Sequence, residues 1–255
     1  MSLKFNSLYR CFAAISGAML LITSMVASAG PNVTFFNVQV MPGKQSDVLA
    51  GAQTFMNSDT GKKFTGSLHV NALSFNGKSP ATHTFVVLHN SRKEAQAWNQ
   101  QLLSSQDWAD WMATLNAVST PISQTNMDMV KSWGTIDNDD RYWDATYFST
   151  QDGAAVVAAM DALMATDRFK QFPGQVWLNA TAFGGDMIHG HTTHMFAVGY
   201  RSMEEMENWN DEHRSSAEFA TFMGSLSDKV TWLNNELVFN ALIFDQQTSL
   251  ESFGN

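Results

Sequence analysis

The chain has 255 residues with 15 basic against 24 acidic side chains and a formal charge of −9. It lacks the clustered Lys and Arg that neutralise phosphates, which excludes nucleic acid as a natural partner. Hydrophobic residues make up 44% of it, with 8 Trp, 18 Phe and 15 Met, a composition that suits a large apolar interior or an aromatic-lined pocket.

At the N-terminus Lys4 and Arg10 precede an apolar run from Cys11 through Val26, and then Ala27-Ser28-Ala29 has the small-x-small form of a signal-peptidase site. Residues 1–29 therefore read as a signal peptide, and the protein as exported, periplasmic or secreted. The run is interrupted by Ser16, Gly17, Thr23 and Ser24. It falls short of the roughly 20 strongly apolar residues of a spanning helix, so no stable membrane anchor is expected after cleavage. Cleavage removes Lys4, Arg10 and Cys11, the one cysteine, and takes the charge from −9 to −11. The remaining chain has no disulfide, thiolate nucleophile or Cys-ligated metal available to it.

Residues 33–40 alternate at period two and read as a strand, closed by the turn Pro42-Gly43. Val48, Ala52 and Phe55 follow at helical spacing. Two strands are expected at 66–75 and 82–89, then a longer helical region carrying Trp98, Leu102, Trp108, Trp111, Met112 and Leu115, then a strand at 125–133. A linker at 134–141, acidic through Asp137, Asp139 and Asp140, leads to a second series. Its strand at 142–148, helix with Val156, Met160, Leu163 and Met164, strands at 174–183 and 193–200, long helical region and last strand at 236–244 follow the first in kind.

The likeness extends to single residues. At an offset of 111, residues 82–115 align with 193–226 without a gap, and 13 of 34 positions are identical, among them His83 with His194, Trp98-Asn99 with Trp209-Asn210 and Ser104-Ser105 with Ser215-Ser216. Upstream the offset is 108, where Phe35 meets Trp143, Gly66 meets Gly174 and Asn71-Ala72 meets Asn179-Ala180. Each copy reads β-α-β-β-α-β, the ferredoxin-like split unit. The expected architecture is α+β, with repeats at 30–134 and 135–245 and a flexible tail at 246–255.

These residues resemble the dimeric α+β barrel proteins, in particular the antibiotic-biosynthesis-monooxygenase-like branch. The likeness lies in a strand ending at His89 or Tyr200, a turn, a helix bearing Trp98 or Trp209, and the pattern Ser-Ser-x-acid-aromatic-x-x-aromatic at 104–111 and 215–222. The resemblance implies two tandem units whose sheets curl into one intramolecular barrel with helices outside. It also implies an apolar pocket between sheet and helices that binds, or oxidises without a bound cofactor, an aromatic or hydrophobic compound. The alternative is a non-catalytic ligand-binding or envelope structural protein. Haem-degrading members combine a first-strand Asn, a Trp after the third strand and a His on the second long helix. Asn37 matches the first, but His89 stands in place of the Trp, and Met112, with Met223, in place of the His, so haem is not expected.

Alternation puts His83, Phe85, Val87 and His89 on one face of their strand, and His194, Phe196, Val198 and Tyr200 on the matching face. Val33, Phe35, Asn37 and Gln39 share a face of the first strand, answered by Trp143, Ala145 and Tyr147. The copies are unequal here, which points to one functional pocket with Asn37 and His89 as candidate catalytic residues. Gln39, Phe85, Trp98, Tyr147 and Tyr200 are the candidate ligand-binding residues. Asn37 also reads simply as a polar strand residue with satisfied hydrogen bonds.

A second candidate is His189, His191 and His194 at H-x-H-x-x-H spacing, with Asp186 just before, a pattern suited to zinc or copper. Against it, His194 has a counterpart in His83 and so belongs to the shared scaffold. His213, beside Asp211, Glu212 and Arg214, reads as a surface residue of a charged helix face. The sequence leaves monomer and homodimer equally open.

Overall fold

A computed structural model describes residues 30–134, 139–187 and 190–245. The expected signal peptide, the centre of the acidic linker and the tail at 246–255 lie outside the described residues. In chain order the elements are β1 (Asn32–Val40), α1 (Gln45–Met56), β2 (Ser67–Phe75), β3 (His83–His89), α2 (Arg92–Leu102), α3 (Gln106–Val118) and β4 (Ser119–Gly134). The second half gives β5 (Tyr142–Thr150), α4 (Gly153–Met164), β6 (Gln175–Phe183), the two-residue strands β7 (Asp186–Met187) and β8 (Gly190–His191), β9 (His194–Tyr200), α5 (Met203–His213), α6 (Ala217–Leu226) and β10 (Val230–Asp245). Among the described residues no helix is long and apolar enough to cross a membrane.

The long helical region of each half is two helices rather than one. Ser105 accepts a hydrogen bond from the Trp108 amide, and Ser216 one from the Phe219 amide, so each serine caps a new helix start. Ser91 and Ser202 cap the preceding helices in the same way, on Glu94 and Glu205. The repeated Ser-Ser is thus a helix break. The insertion of the second half becomes the small hairpin β7–β8.

Eight strands close an antiparallel barrel in the order β1-β3-β2-β10-β5-β9-β6-β4, with β4 returning to β1. The first half contributes β4-β1-β3-β2 and the second β10-β5-β9-β6, and the joints are β2 with β10 and β4 with β6. A closed barrel leaves no unpaired sheet edge. Both joints carry β-bulges at positions 111 residues apart, at Asn126/Met127 and Met129/Lys131 on β4 and at Leu237/Val238 and Asn240/Leu242 on β10. Gly66 and Gly174 also match, since a Cβ there would stand 2.0 Å from the Leu88 carbonyl oxygen and 1.9 Å from that of Gly199.

One register differs from the sequence reading. Asn37 pairs with Thr84 and Tyr147 with Met195, so the first strands match at an offset of 110, and Phe35 answers Ala145 rather than Trp143. The turn before α4 is two residues shorter than that before α1, which absorbs the difference. A shift of two residues preserves which face each side chain occupies.

Three apolar clusters result. One lies inside the barrel, around Val33, Leu88, Met127, Trp143, Trp177 and Met195. The other two fill the layers between the barrel wall and the helices of each half. In the first half Phe55 stacks on Trp111 at 4.6 Å, Trp108 meets Trp111 edge-on at 5.1 Å, and Trp98 lies against Phe64 at 5.0 Å. This aromatic stripe packs the helices onto the sheet.

A polar chamber inside the barrel

The candidate site residues separate onto two faces of the wall. Asn37, Gln39 and Tyr147 belong to the inner set. Phe85, His89, Trp98 and Tyr200 lie on the helix side, where Phe85 and Trp98 join the first packed layer and Tyr200 the second. Asn37 and His89 therefore do not share a pocket. Asn37 donates to the Ser123 hydroxyl at 3.0 Å near the end of the barrel, and Gln39 is exposed beyond it. His89 is 3% exposed, with Phe64 edge-on at 5.4 Å. Burial holds its imidazole neutral, with a pKa lowered to about 4. Tyr200 packs edge-on to Phe172 at 5.7 Å, and burial pushes its hydroxyl well above the usual tyrosine range.

Of the histidine triad only two members are described. His189 lies outside the described residues. His191 is exposed with Nδ1 2.8 Å from Asp186 Oδ1, whereas His194 stacks on Phe148 at 5.5 Å with Nδ1 2.9 Å from the Thr193 hydroxyl. Among the described residues no three His, Cys, Asp or Glu side chains gather as a metal site. His213 is buried, not on the surface: its ring sits 3.5 Å from that of Trp209 and 5.8 Å from that of Phe169.

What the inner face encloses is a chamber of about 50 Å³. Its wall combines the apolar side chains of Val33, Val86, Ala145, Trp177 and Val238 with His69, Asn71, Thr84, Tyr147, Asn179, Glu236 and Asn240. The strand pairing explains how these meet, since Asn71 is opposite both Thr84 and Asn240, Asn179 is opposite Met195, and Glu236 is opposite Ala145. Phe35, Leu73 and Met187, partly buried, pack against this interior cluster.

Glu236 is the pivotal group. It is 7% exposed, and burial lifts its carboxyl to about 7 against the stabilising hydrogen bonds from Tyr147 and Asn234. The Tyr147 hydroxyl donates to Oε2 at 3.1 Å and the Asn234 amide to Oε1 at 3.3 Å. Burial and the neighbouring carboxylate hold the Tyr147 hydroxyl far above its ordinary range, so it stays a donor. His69 is neutral, lowered to about 4 by burial and then by the charge of Arg141, with Nε2 3.0 Å from the Ser67 hydroxyl. Around these stand Asn71 Oδ1, Thr84 Oγ1, both polar atoms of Asn179, Asn240 Oδ1 and Trp143 Nε1, all buried and without a protein hydrogen-bond partner.

Such orphaned groups cost roughly 1–3 kcal/mol each unless something else satisfies them. A carboxyl poised near 7 beside a neutral tyrosine can take or give a proton at neutral pH. Sequence reasoning reached Tyr147 and missed Glu236, His69, Thr84 and Asn240. A signal existed for one pair, because Asn71 and Asn179 are identical across the repeat.

Neither a protein-family model nor a curated protein matches the chain. Among solved structures, a candidate monooxygenase from Lactobacillus acidophilus superposes with a TM-score of 0.59 at 12% identity, covering 86% of this chain and 98% of its own. A candidate monooxygenase from Fusobacterium nucleatum gives 0.58 at 12% identity, covering 85% and 98%. An anthrone oxidase-like protein gives 0.58 at 13% identity, covering 87% and 95%. At these identities the chain shares with all three an α+β fold of one large antiparallel sheet with helices outside.

Proposed function

We propose that the chain is an exported small-molecule-binding protein, built by tandem duplication and resembling cofactor-independent monooxygenases, that binds an aromatic or hydrophobic compound at the chamber inside the barrel. The observation that carries this reading is the pairing of Glu236 with Tyr147 beside amides left without partners. A wall serving only as scaffold gains nothing from a buried carboxyl that is hard to ionise. The apolar part of the compound rests against Phe35, Leu73 and Met187, and its polar end reaches the chamber. Glu236 then removes a proton from the carbon next to that end, the electron pair passes to dioxygen, and the hydroperoxide formed as the proton returns loses water to leave a carbonyl on the compound. The monooxygenase-like neighbours support the chemistry only by fold.

A second reading, binding without chemistry, draws support from the chamber's size. About 50 Å³ is a third of the roughly 150 Å³ that admits benzene, so no ring enters whole. A thermal-shift screen with phenolic, haem and fatty ligands, run on wild type and Glu236→Gln, tests the site. Phenolic or other aromatic compounds are expected to raise the wild-type Tm by several degrees and the variant's by much less. Equal shifts in both proteins would remove Glu236 from the site. Oxygen uptake with the best ligand separates oxidation from binding alone.

A further inference from the structure

The orphaned atoms of the chamber form an unequal set, and the inequality bears on what they recognise. Three are carbonyl acceptors, the Oδ1 atoms of Asn71, Asn179 and Asn240. Two are donors, Asn179 Nδ2 and Trp143 Nε1, and the Thr84 hydroxyl can act as either. The remaining amide nitrogen of Asn240 is committed to the Asp140 carbonyl at 3.2 Å.

A cation would suit the oxygens but would leave the Trp143 and Asn179 N–H groups aimed at positive charge. A carboxylate would face three carbonyl oxygens and Glu236. A primary carboxamide is the complement: two N–H donors for the acceptors, and one carbonyl oxygen able to accept from both donors. Its three heavy atoms are also on the scale of the chamber, given that benzene needs about three times the volume. The remainder of such a molecule extends outward past Phe35, Leu73 and Met187.

Resting on the reading that the barrel interior is the ligand site, we propose that Asn71, Asn179, Asn240 and Trp143 form a recognition site for the primary carboxamide end of the ligand. Asn179 holds the central place, because both of its polar atoms are buried, unpartnered and at the chamber wall.

The test uses formamide and acetamide as probes, with N,N-dimethylformamide, acetate and methylammonium as controls, on the mature chain labelled with nitrogen-15. Formamide is expected to shift the Trp143 indole and the Asn71, Asn179 and Asn240 amide resonances, with an affinity on the order of 1 mM or weaker for so small a molecule. Dimethylformamide, which has no N–H, and the two ions should bind roughly tenfold more weakly or not at all. Asn179→Leu should abolish the formamide response while its Tm is held or raised, and if that variant does not fold the wild-type probe series decides alone. Equal responses to all probes, or none at Trp143, would overturn the assignment and mark the chamber as a water site. If aromatic ligands still bind in a Glu236-dependent way while the amide selectivity is absent, only the head-group assignment falls. Absence of both removes the ligand-site reading as well.

Discussion

On the helix side of the barrel wall, Phe55, Trp98, Trp108 and Trp111 interlock against the sheet in one packed layer. On the inner side, a few ångströms away through the same strands, Asn71 Oδ1, Thr84 Oγ1, both polar atoms of Asn179 and Asn240 Oδ1 lack a protein hydrogen-bond partner around a gap, with a carboxyl that burial makes reluctant to ionise. One face is arranged for stability. The other gives stability up, and the place where a fold does so is where function is to be sought.

The largest effect expected from this comparison is on the helix side. Trp111→Ala deletes a buried ring stacked on Phe55 and should cost about 4 kcal/mol in chemical denaturation, with ligand binding at the inner chamber retained in whatever fraction stays folded. A loss of binding that outruns the loss of folded protein would break the separation of the two faces.

Glu236→Gln should behave in the opposite sense. A folded-state value raised to about 7 from 4.5 contributes stability that is fully present below pH 4.5 and is lost as pH rises through 7. The variant should therefore gain up to about 3 kcal/mol over wild type at pH 8 and nothing at pH 4. A stability difference that does not change with pH would mean that Glu236 is solvated.

The histidines work from the acid side. His69 and His89 are both lowered to about 4 from 6.5, so their contribution is present above pH 6.5 and is lost as pH falls through 4. His89→Phe, which keeps an aromatic edge for Phe64, should flatten part of the acid limb of the stability curve. His69, together with His83 and His194, which burial also lowers, contributes further to that slope. The smallest change is Asn179→Leu, expected to stabilise by about 1 kcal/mol because an unsatisfied amide is replaced by an apolar group of similar shape. Destabilisation instead would show that water already satisfies Asn179 well.

Strand alternation told which residues share a face, and the repeat told that the two halves match, but neither told which face would enclose a cavity. That depends on β2 meeting β10 and β4 meeting β6, contacts between distant parts of the chain. Asn234, Glu236, Val238 and Asn240 lie two residues apart along β10, and closure of the barrel is what turns Glu236 inward. Pairing Asn37 with His89 failed for a related reason, since each sat correctly within its own strand and only the antiparallel register puts them on opposite faces. The Ser-Ser breaks were visible as residues and became legible as caps once the second hydroxyl of each pair was seen to accept an amide hydrogen bond three residues on.

The claim that the barrel interior is a working site rests most heavily on Glu236, and its carboxyl can be followed directly. A carbon-13 NMR titration of the Glu236 carboxyl, free and saturated with the best aromatic ligand, should show a midpoint near 7 that moves when ligand binds. A midpoint near 4.5, unchanged by ligand, would place the carboxylate in water and contradict the account.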